Sequence, residues 1–221
     1  MITLPVLEGR VRGCTACTAA RPPAFRVLGD GPVDARIVLV GEAPGATEEA
    51  EARPFVGDAG QELDRWLLAA GVDRQAVRIV NALACRPTEP GKRPGTVRNR
   101  SPRPPEVAAC REHLLQQIGL VRPWAVVTIG AVALSSIAPE LTIAGVDEHG
   151  IVLASRDQAS PLFGVRLFAL YHPAAVLRWH HAAPPRAKEA RARAVEALRA
   201  AARFVEINSP EPKLGREAHR G

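Results

Sequence analysis

The stretch IVLVGEAPGATEEAEARPFVGDAGQEL, residues 37–63, decides the fold. It begins with a continuous apolar run, which is typical of a strand buried on both faces of a parallel sheet. The run ends in a loop with two glycines, a proline and four glutamates, and an aromatic residue, Phe55, follows between Pro54 and Gly57. Long loops inside compact domains are usually functional or disordered. This loop holds too many turn-forming residues to be disordered, so we interpret it as one wall of a functional site.

Length and composition indicate one folded domain. The chain has 221 residues, enough for one sizeable core, and 47% of them are hydrophobic. Its apolar runs are shorter than a membrane span, and Pro5 and Glu8 stand where a secretory signal needs an apolar core. We therefore expect a cytoplasmic monomer that does not enter a membrane, with one domain over residues 1–207 and a frayed polar tail over residues 208–221.

The charge balance is basic, with 29 Lys and Arg against 23 Asp and Glu, and all but three of the basic residues are arginine. The planar guanidinium group of arginine suits phosphate better than a point charge does. Genome composition alone can also enrich arginine. The charge is therefore compatible both with nucleic-acid binding and with a basic enzyme that binds none.

Apolar runs alternate with helical patterns along the chain. Strands are predicted at residues 35–40, 77–83, 125–129 and 165–170, and helices at residues 60–70, 105–120, 131–137 and 186–204. This alternation predicts an α/β fold, a three-layer α/β/α arrangement with a short four-stranded, mostly parallel central sheet. The segment EHGIVLAS is expected to add a hairpin arm before the fourth strand, and Val195, Leu198 and Phe204 form the apolar stripe of the last helix.

Polar and aromatic side chains follow the predicted strands at one edge of the sheet. Ligands of open parallel sheets bind beyond the carboxyl ends of the strands. The residues expected to meet there are Glu42, Glu48, Phe55, Asn81 and His172. Carboxylates, a ring, an amide and an imidazole together suit a planar, polar ligand. Glu49 and Glu51, from the same loop, are expected to face solvent.

The four cysteines, Cys14, Cys17, Cys85 and Cys110, indicate a metal centre. Disulfides are rare in cytosolic proteins, and the spacing of the CTAC pair is typical of two thiols that share a metal. A set of four thiols fits either zinc or an iron–sulfur cluster, and the spacing alone does not choose between them.

Five segments resemble the uracil-DNA glycosylase superfamily, and specifically its iron–sulfur-containing family 4: GEAPGATEEAEARPFVGDAG, IVNALACRP, RNRSPRPPEVAACREHL, PWAVVTIGAVAL and YHPAAVLR. They occur in the family's order and cover most of the chain. The resemblance implies a four-stranded parallel sheet with helices on both faces and excision of uracil from DNA. It also favours a [4Fe–4S] cluster over zinc on the four cysteines.

The resemblance also implies roles for single residues. Phe55 resembles the ring that stacks on the base, Asn81 the amide that distinguishes uracil from cytosine, and His172 the donor to the leaving group. Glu42 and Glu48 are the candidates for holding the attacking water and stabilising a cationic sugar. Gly41 and Ala43, on either side of Glu42, are counted with the substrate-binding residues.

Three positions depart from the family pattern. The chain has ARPF in place of Gly-Arg-Pro-Phe, and Ala174 where a serine usually follows the histidine and proline. The segment between Cys85 and Cys110 is longer than usual and contains no histidine, so the covalent capture of DNA known in a related branch is not expected. Prolines and glycines exclude a regular helix from residues 86–103 of this segment. Its Arg93, Arg98 and Arg100, together with Arg178, are predicted to contact DNA phosphates.

Two other functions remain compatible with these residues. One is a non-catalytic iron–sulfur or zinc protein that binds uracil-containing or single-stranded DNA. The other is a hydrolase of small nucleotides, although the chain has no Walker-type phosphate loop. Turnover of a uracil-containing oligonucleotide separates the enzyme from the binding protein.

Overall fold

The fold is organised around a central five-stranded β-sheet. The computed structural model describes residues 2–19, 25–147, 149–152 and 160–208. Its strands are β1 (Ile37–Gly41), β2 (Arg78–Asn81), β3 (Thr88–Pro90), β4 (Val97–Asn99), β5 (Ala125–Ile129), β6 (Ile151–Val152) and β7 (Arg166–Leu170). The main sheet has the order β2-β1-β5-β7-β6. Its first three pairings are parallel and β6 is antiparallel to β7, which confirms the four parallel strands and places the predicted arm at Ile151. Residues 148 and 153–155 of that arm lie outside the described residues.

Seven α-helices are present in the described residues. They are α1 (Leu4–Gly13), α2 (Ala46–Glu51), α3 (Asp58–Ala70), α4 (Pro104–Val121), α5 (Ala131–Ile137), α6 (Pro173–Ala182) and α7 (Pro184–Asn208). The four predicted helices are confirmed as α3, α4, α5 and α7, whereas α1, α2 and α6 were not predicted. Asn208 is the last residue of α7. Residues 209–221 of the predicted tail lie outside the description, so the tail stays a prediction. None of the helices in the described part of the chain is long and apolar enough to cross a membrane.

Two hydrophobic layers cover the two faces of the sheet. Leu39 of β1 packs with Leu63 and Trp66 of α3 and with the buried side of α7. Val38, its neighbour in the same strand, packs on the opposite face with Leu114 of α4. Successive side chains of a strand point to opposite faces, so one apolar strand serves both layers. The three-layer α/β/α arrangement is therefore confirmed.

The buried stripe of α7 is built mainly from alanine. Its fully buried positions include Ala190, Ala194, Ala197 and Ala201. Leu198 is also buried, as predicted, whereas Val195 and Phe204 are only partly buried. The prediction missed this stripe because it followed the large apolar residues, and alanine side chains bring a helix closer to its neighbours than larger residues allow.

A small hairpin stands apart from the main sheet. Strands β3 and β4 pair antiparallel, with Thr88 opposite Asn99 and Pro90 opposite Val97. The sequence prediction excluded a helix in this segment, which is confirmed, but it did not find the two strands. They are short, and their residues are mostly polar and exposed, so they lack the apolar alternation that identifies a strand.

Candidate active site

One cavity collects most of the predicted site residues. It opens at the carboxyl ends of β1, β2 and β7 and has a volume of about 550 Å³. Its lining includes eight predicted residues: Glu42, Ala43, Glu48, Phe55, Asn81, Arg100, His172 and Arg178. Gly41 ends β1 behind this lining, and Arg93 and Arg98 belong to the β3–β4 hairpin. The edge of the sheet where the sequence predicts a site is thus where the cavity lies.

Contacts within the protein fix the backbone conformation of Phe55. Its φ of 53° lies in the left-handed region, which aromatic residues rarely adopt. Arg74 donates to the carbonyl oxygens of Pro54 and Phe55 at 3.0 Å each, and a Cβ atom at Gly60 would overlap the Phe55 carbonyl group. The Phe55 ring is 6% exposed and stacks on the His172 imidazole, with ring centroids 6.0 Å apart and planes inclined by 28°.

Gly41 lets two site residues approach each other. It is opposite Asn81 in the parallel pairing of β1 with β2. A side chain at Gly41 would overlap both the Asn81 Oδ1 atom and the Phe55 ring. Glycine at this position therefore allows the amide and the aromatic ring to reach the same part of the cavity.

Glu48 and Glu42 have different surroundings. The Glu48 carboxylate accepts hydrogen bonds from the backbone N–H groups of Gly45 (3.1 Å), Val56 (3.1 Å) and Gly57 (2.9 Å). It thereby fastens the start of α2 to the segment that carries Phe55. Glu42 is half-buried, and this burial raises the pKa of its carboxyl group, an effect that the nearby Arg178 guanidinium opposes. A raised pKa makes the Glu42 carboxylate a better proton acceptor than an ordinary glutamate.

The neighbouring Glu49 corrects a prediction. It was expected to face solvent, but it is 8% exposed and pairs with Arg86 at 3.2 Å. Glu51 is exposed, as predicted. The arginine that draws Glu49 inward lies 37 residues further along the chain, so the local sequence of the loop could not reveal it.

His172 is fixed as a neutral imidazole. It caps α6, and its Nδ1 atom accepts a hydrogen bond from the Ala174 N–H at 3.2 Å. Burial lowers the pKa of His172 to about 4, helped by the positive charge of Arg178 and opposed by Glu48. Because Nδ1 is an acceptor and the ring is neutral, the proton resides on Nε2. Gly130, with a φ of 97°, leaves room for the ring, since its Cβ would lie 3.2 Å from the His172 Cβ.

The cavity also contains polar residues that the sequence analysis missed. Asn99 and Ser101 line the wall contributed by the end of the hairpin. Arg86 Nε donates to Asn99 Oδ1 at 2.6 Å. Since a guanidinium group can only donate, this bond fixes the amide orientation and leaves the Asn99 NH2 group for other acceptors. The sequence analysis missed Asn99 because it interpreted this segment only through its arginines. The position of Asn99 directly before Arg100, a predicted site residue, could have indicated that it also belongs to the site.

Comparison with known proteins identifies the family. A model of the Uracil DNA glycosylase superfamily matches residues 28–199. The chain is 35% identical to the Type-4 uracil-DNA glycosylase of Thermotoga maritima over 175 residues, 79% of this chain and 83% of the relative. It is 36% identical to the Type-4 enzyme of Pyrobaculum aerophilum over 177 residues, 79% and 85% of the two chains. For the Type-4 enzyme of Archaeoglobus fulgidus the identity is 34% over 181 residues, 80% and 84% of the two chains. The chain belongs to the uracil DNA glycosylase superfamily.

Ala174 is one of the residues at which the sequence was expected to depart from the family pattern. It lines the cavity and donates its backbone N–H to His172. The backbone group of this residue thus takes part in fixing the imidazole whichever side chain it carries. The alanine side chain itself places no hydroxyl group at the cavity wall.

The four cysteines of this superfamily member lie near one another. Cys85 and Cys110 are buried, Cys14 and Cys17 are partly buried, and no disulfide joins any of the four, all of which are described. Burial, together with the charges of the other three cysteines, raises the pKa of the Cys110 thiol to about 11. Among the residues that the structure describes, no three His, Cys, Asp or Glu side chains are arranged to hold one metal ion.

The predicted DNA-contacting arginines occupy three kinds of place. Arg93 is exposed at the turn of the hairpin, and Arg98 is 63% exposed and 3.1 Å from Glu89. Arg178 is exposed at the cavity mouth. Arg100 is different, because its guanidinium group forms two hydrogen bonds with the buried Glu106 carboxylate.

Proposed function

We propose that this chain is a DNA-repair glycosylase that flips uracil out of DNA and hydrolyses its N-glycosidic bond, leaving an abasic site. The observation that carries the proposal is one cavity lined by a neutral His172, an amide from Asn81, the ring of Phe55 and the basic carboxylate of Glu42. The named relatives are uracil-DNA glycosylases, which supports the same substrate here.

The base is recognised by stacking and by one amide. Enzymes that act on a base in DNA take it out of the stack into a pocket, and the fixed Phe55 ring offers a face for a planar pyrimidine. Asn81 can accept a hydrogen bond from N3–H of uracil and donate one to O4, which the edge of cytosine cannot match. Ala43 lines the same cavity, and Gly41 leaves room for the Asn81 amide and the Phe55 ring to reach the base.

His172 stabilises the leaving group. When the N-glycosidic bond breaks, its electron pair moves to the uracil ring and negative charge develops on O2. The Nε2–H of a neutral imidazole can donate to that oxygen, and a donor placed where charge develops lowers the barrier more than it strengthens ground-state binding. A pKa of about 4 keeps the imidazole neutral at neutral pH.

Glu42 serves the attacking water. Its carboxylate can accept a proton from water that attacks the sugar, and its negative charge favours the cationic character that the sugar acquires. Its raised pKa suits a base. Glu48 acts differently, since its carboxylate is occupied by three backbone N–H groups and holds the loop in shape.

The DNA strand contacts arginine side chains around the cavity. Arg178 stands at the mouth, and Arg93 and Arg98 extend from the hairpin towards the solvent. Phosphate contacts from such side chains provide affinity that is independent of sequence. The predicted DNA contact of Arg100 competes with its ion pair to Glu106.

The four cysteines fit a [4Fe–4S] cluster. Four thiols with no disulfide among them, two buried and two partly buried, are the donor set of that cluster type. The resemblance to the iron–sulfur-containing family 4, to which relatives named Type-4 uracil-DNA glycosylase correspond, favours this cluster over zinc. When bound, the cluster supplies cross-links between chain segments, since hydrolysis of an N-glycosidic bond transfers no electrons. Protein purified without oxygen should contain about four irons per chain, and stoichiometric zinc would contradict this proposal.

The proposed activity is tested with an oligonucleotide that contains a single uracil. After incubation with the protein, alkali breaks the strand wherever a base has been lost. Cleavage at the uracil position, and none with the matched cytosine oligonucleotide, is the expected result. Binding of the uracil strand without alkali-sensitive sites would instead identify a non-catalytic binding protein.

A further inference from the structure

Glu106 is a buried carboxylate that has no place in the proposed reaction. It is 1% exposed and lies in the first turn of α4. Its two oxygens accept four hydrogen bonds, from Thr18 Oγ1 (2.6 Å), from both terminal nitrogens of Arg100 (2.8 and 2.6 Å) and from the Arg103 backbone N–H (2.8 Å). Arg100 and the other donors lower the pKa of Glu106 to about 2. A buried carboxylate that accepts four hydrogen bonds fixes the positions of its donor groups.

The partners of Glu106 are neighbours of the four thiols. Thr18 directly follows Cys17 in the chain, and Cys110 lies four residues after Glu106 in α4, one helical turn away. Side chains four residues apart lie on the same side of a helix. The bonds of Glu106 therefore join the N-terminal thiol segment to the helix that carries Cys110.

Arg100, the basic member of this ion pair, lines the cavity. Ser101 and Asn99 line it as well. Arg100 also donates to the Thr88 carbonyl at 3.2 Å, so it holds the hairpin from its last strand to its first. Arg86, which follows Cys85, attaches the same open end of the hairpin, with bonds to Asn99 and to Glu49 of α2. The wall of the cavity thus shares its attachments with the thiols.

We propose that Glu106 and Arg100 are positioning residues, which hold the cavity wall formed by residues 99–101 in register with the four thiols. The expected effect on catalysis rests on the proposed glycosylase function. The link between the wall and the thiols rests only on the contacts of Glu106 and Arg100. Neither residue touches the reacting atoms. Loss of the pair is therefore expected to loosen the thiols and misplace the wall together.

The decisive variant is Glu106→Gln, which keeps the size of the side chain and removes the charge. Glu62→Gln is a matched control, because Glu62 is 3% exposed and also accepts from arginine, with donors Arg65, Trp66 and Arg191 on the α3–α7 side of the molecule. The chain has only four cysteines, so the rate of their reaction with an aromatic disulfide, compared between proteins of equal iron content, reports on these four thiols alone. Thermal unfolding of both variants measures their losses of stability, so that the thiol rates are compared between variants of known stability.

Glu106→Gln is expected to raise the thiol reaction rate about 10-fold above that of Glu62→Gln, since bonds to charged groups are worth roughly that factor or more. Its single-turnover rate of uracil release should fall about 10-fold, with affinity for the same DNA within about 2-fold. Equal thiol rates in the two variants would overturn the link to the thiols. Faster thiol reaction with an unchanged single-turnover rate would overturn the positioning of the wall.

Arg100→Lys provides the second variant if Glu106→Gln does not fold. Lysine keeps the charge but cannot form the two parallel bonds to Glu106. It should show the same paired change, smaller in size, and a thiol rate equal to that of the unsubstituted protein would count against the proposal. If the unsubstituted protein releases no uracil, the proposed function fails while the thiol comparison still decides the link.

Discussion

The hydrogen bonds that hold the cavity and those that hold the β3–β4 hairpin join residues at very different separations along the chain. In the cavity, His172 is fixed by a residue two positions away, and Glu48 by backbone groups at most nine positions away. Around the hairpin, Arg86 reaches Glu49 across 37 residues, and Glu106 reaches Thr18 across 88. His172 and Glu48 thus keep their places in the cavity through bonds to residues nearby in the chain. The hairpin keeps its position only while several distant segments stay in theirs.

This difference separates the expected effects of substitution. Removing a reacting group from the cavity should change chemistry while the fold remains, because the loop around it closes on itself. Substitutions in the hairpin should change how strongly DNA is held, or how the wall is placed, before they change the reaction.

The largest effect is expected for His172→Ala. Loss of one transition-state donor should slow uracil excision by roughly 10²-fold or more while DNA binding stays nearly unchanged. Single-turnover rates and a binding titration measure the two quantities. His181→Ala, on the exposed side of the same helix, is the control and should retain full activity. Equal losses of binding and turnover would mark His172 as structural.

Glu42→Gln should separate activity from stability. Loss of the base is expected to slow excision by about 10²-fold. The folded state raises the pKa of Glu42, so it binds more protons than the unfolded state, and the ionised carboxylate lowers stability as pH rises. The variant should therefore be more stable than the unsubstituted protein at neutral pH, and the difference should vanish in acid below the ordinary range of carboxyl pKa values. Thermal unfolding at several pH values measures it, and a less stable variant at neutral pH would contradict the assignment.

Asn81→Ala should weaken base discrimination. Without the amide, excision of uracil should slow by about 10-fold, because one base edge loses its hydrogen-bonding partner. The preference for uracil over cytosine, measured with matched oligonucleotides, should narrow. If selectivity survives unchanged, backbone groups of the cavity distinguish the bases instead.

The cavity could be predicted from the sequence because its chemistry is local. The buried strand ending at Gly41, the loop carrying Phe55, and the histidine followed by Pro173 each occur within a short segment. Parallel strands bring their carboxyl ends to one edge, so the meeting of Asn81 with the loop follows from topology. The four parallel strands and the helices α3, α4 and α5 between them were predictable for the same reason.

The surroundings of Glu49 and Arg100 could not be predicted in this way. Both enter ion pairs whose partners are set by the three-dimensional path of the hairpin, and a charged residue without a known partner is expected to be exposed. The hairpin itself has three-residue strands with little apolar pattern. The alanine stripe of α7 was missed because small side chains carry a weak hydrophobic signal although they pack fully.

The smallest effect on chemistry is expected for the double variant Arg93→Ala/Arg98→Ala. If both side chains contact phosphates, their loss should reduce the slope of log affinity against log salt by up to about 1.8 for duplex DNA, 0.9 for each contact. Arg98 is 3.1 Å from Glu89, so its share should be the smaller one. Binding should weaken for all sequences alike, and the base that is removed should not change. Arg203→Ala, an exposed position in α7, is the control. An unchanged slope would show that the hairpin takes no part in holding DNA, and a DNA adduct that survives denaturation would contradict the non-covalent mechanism.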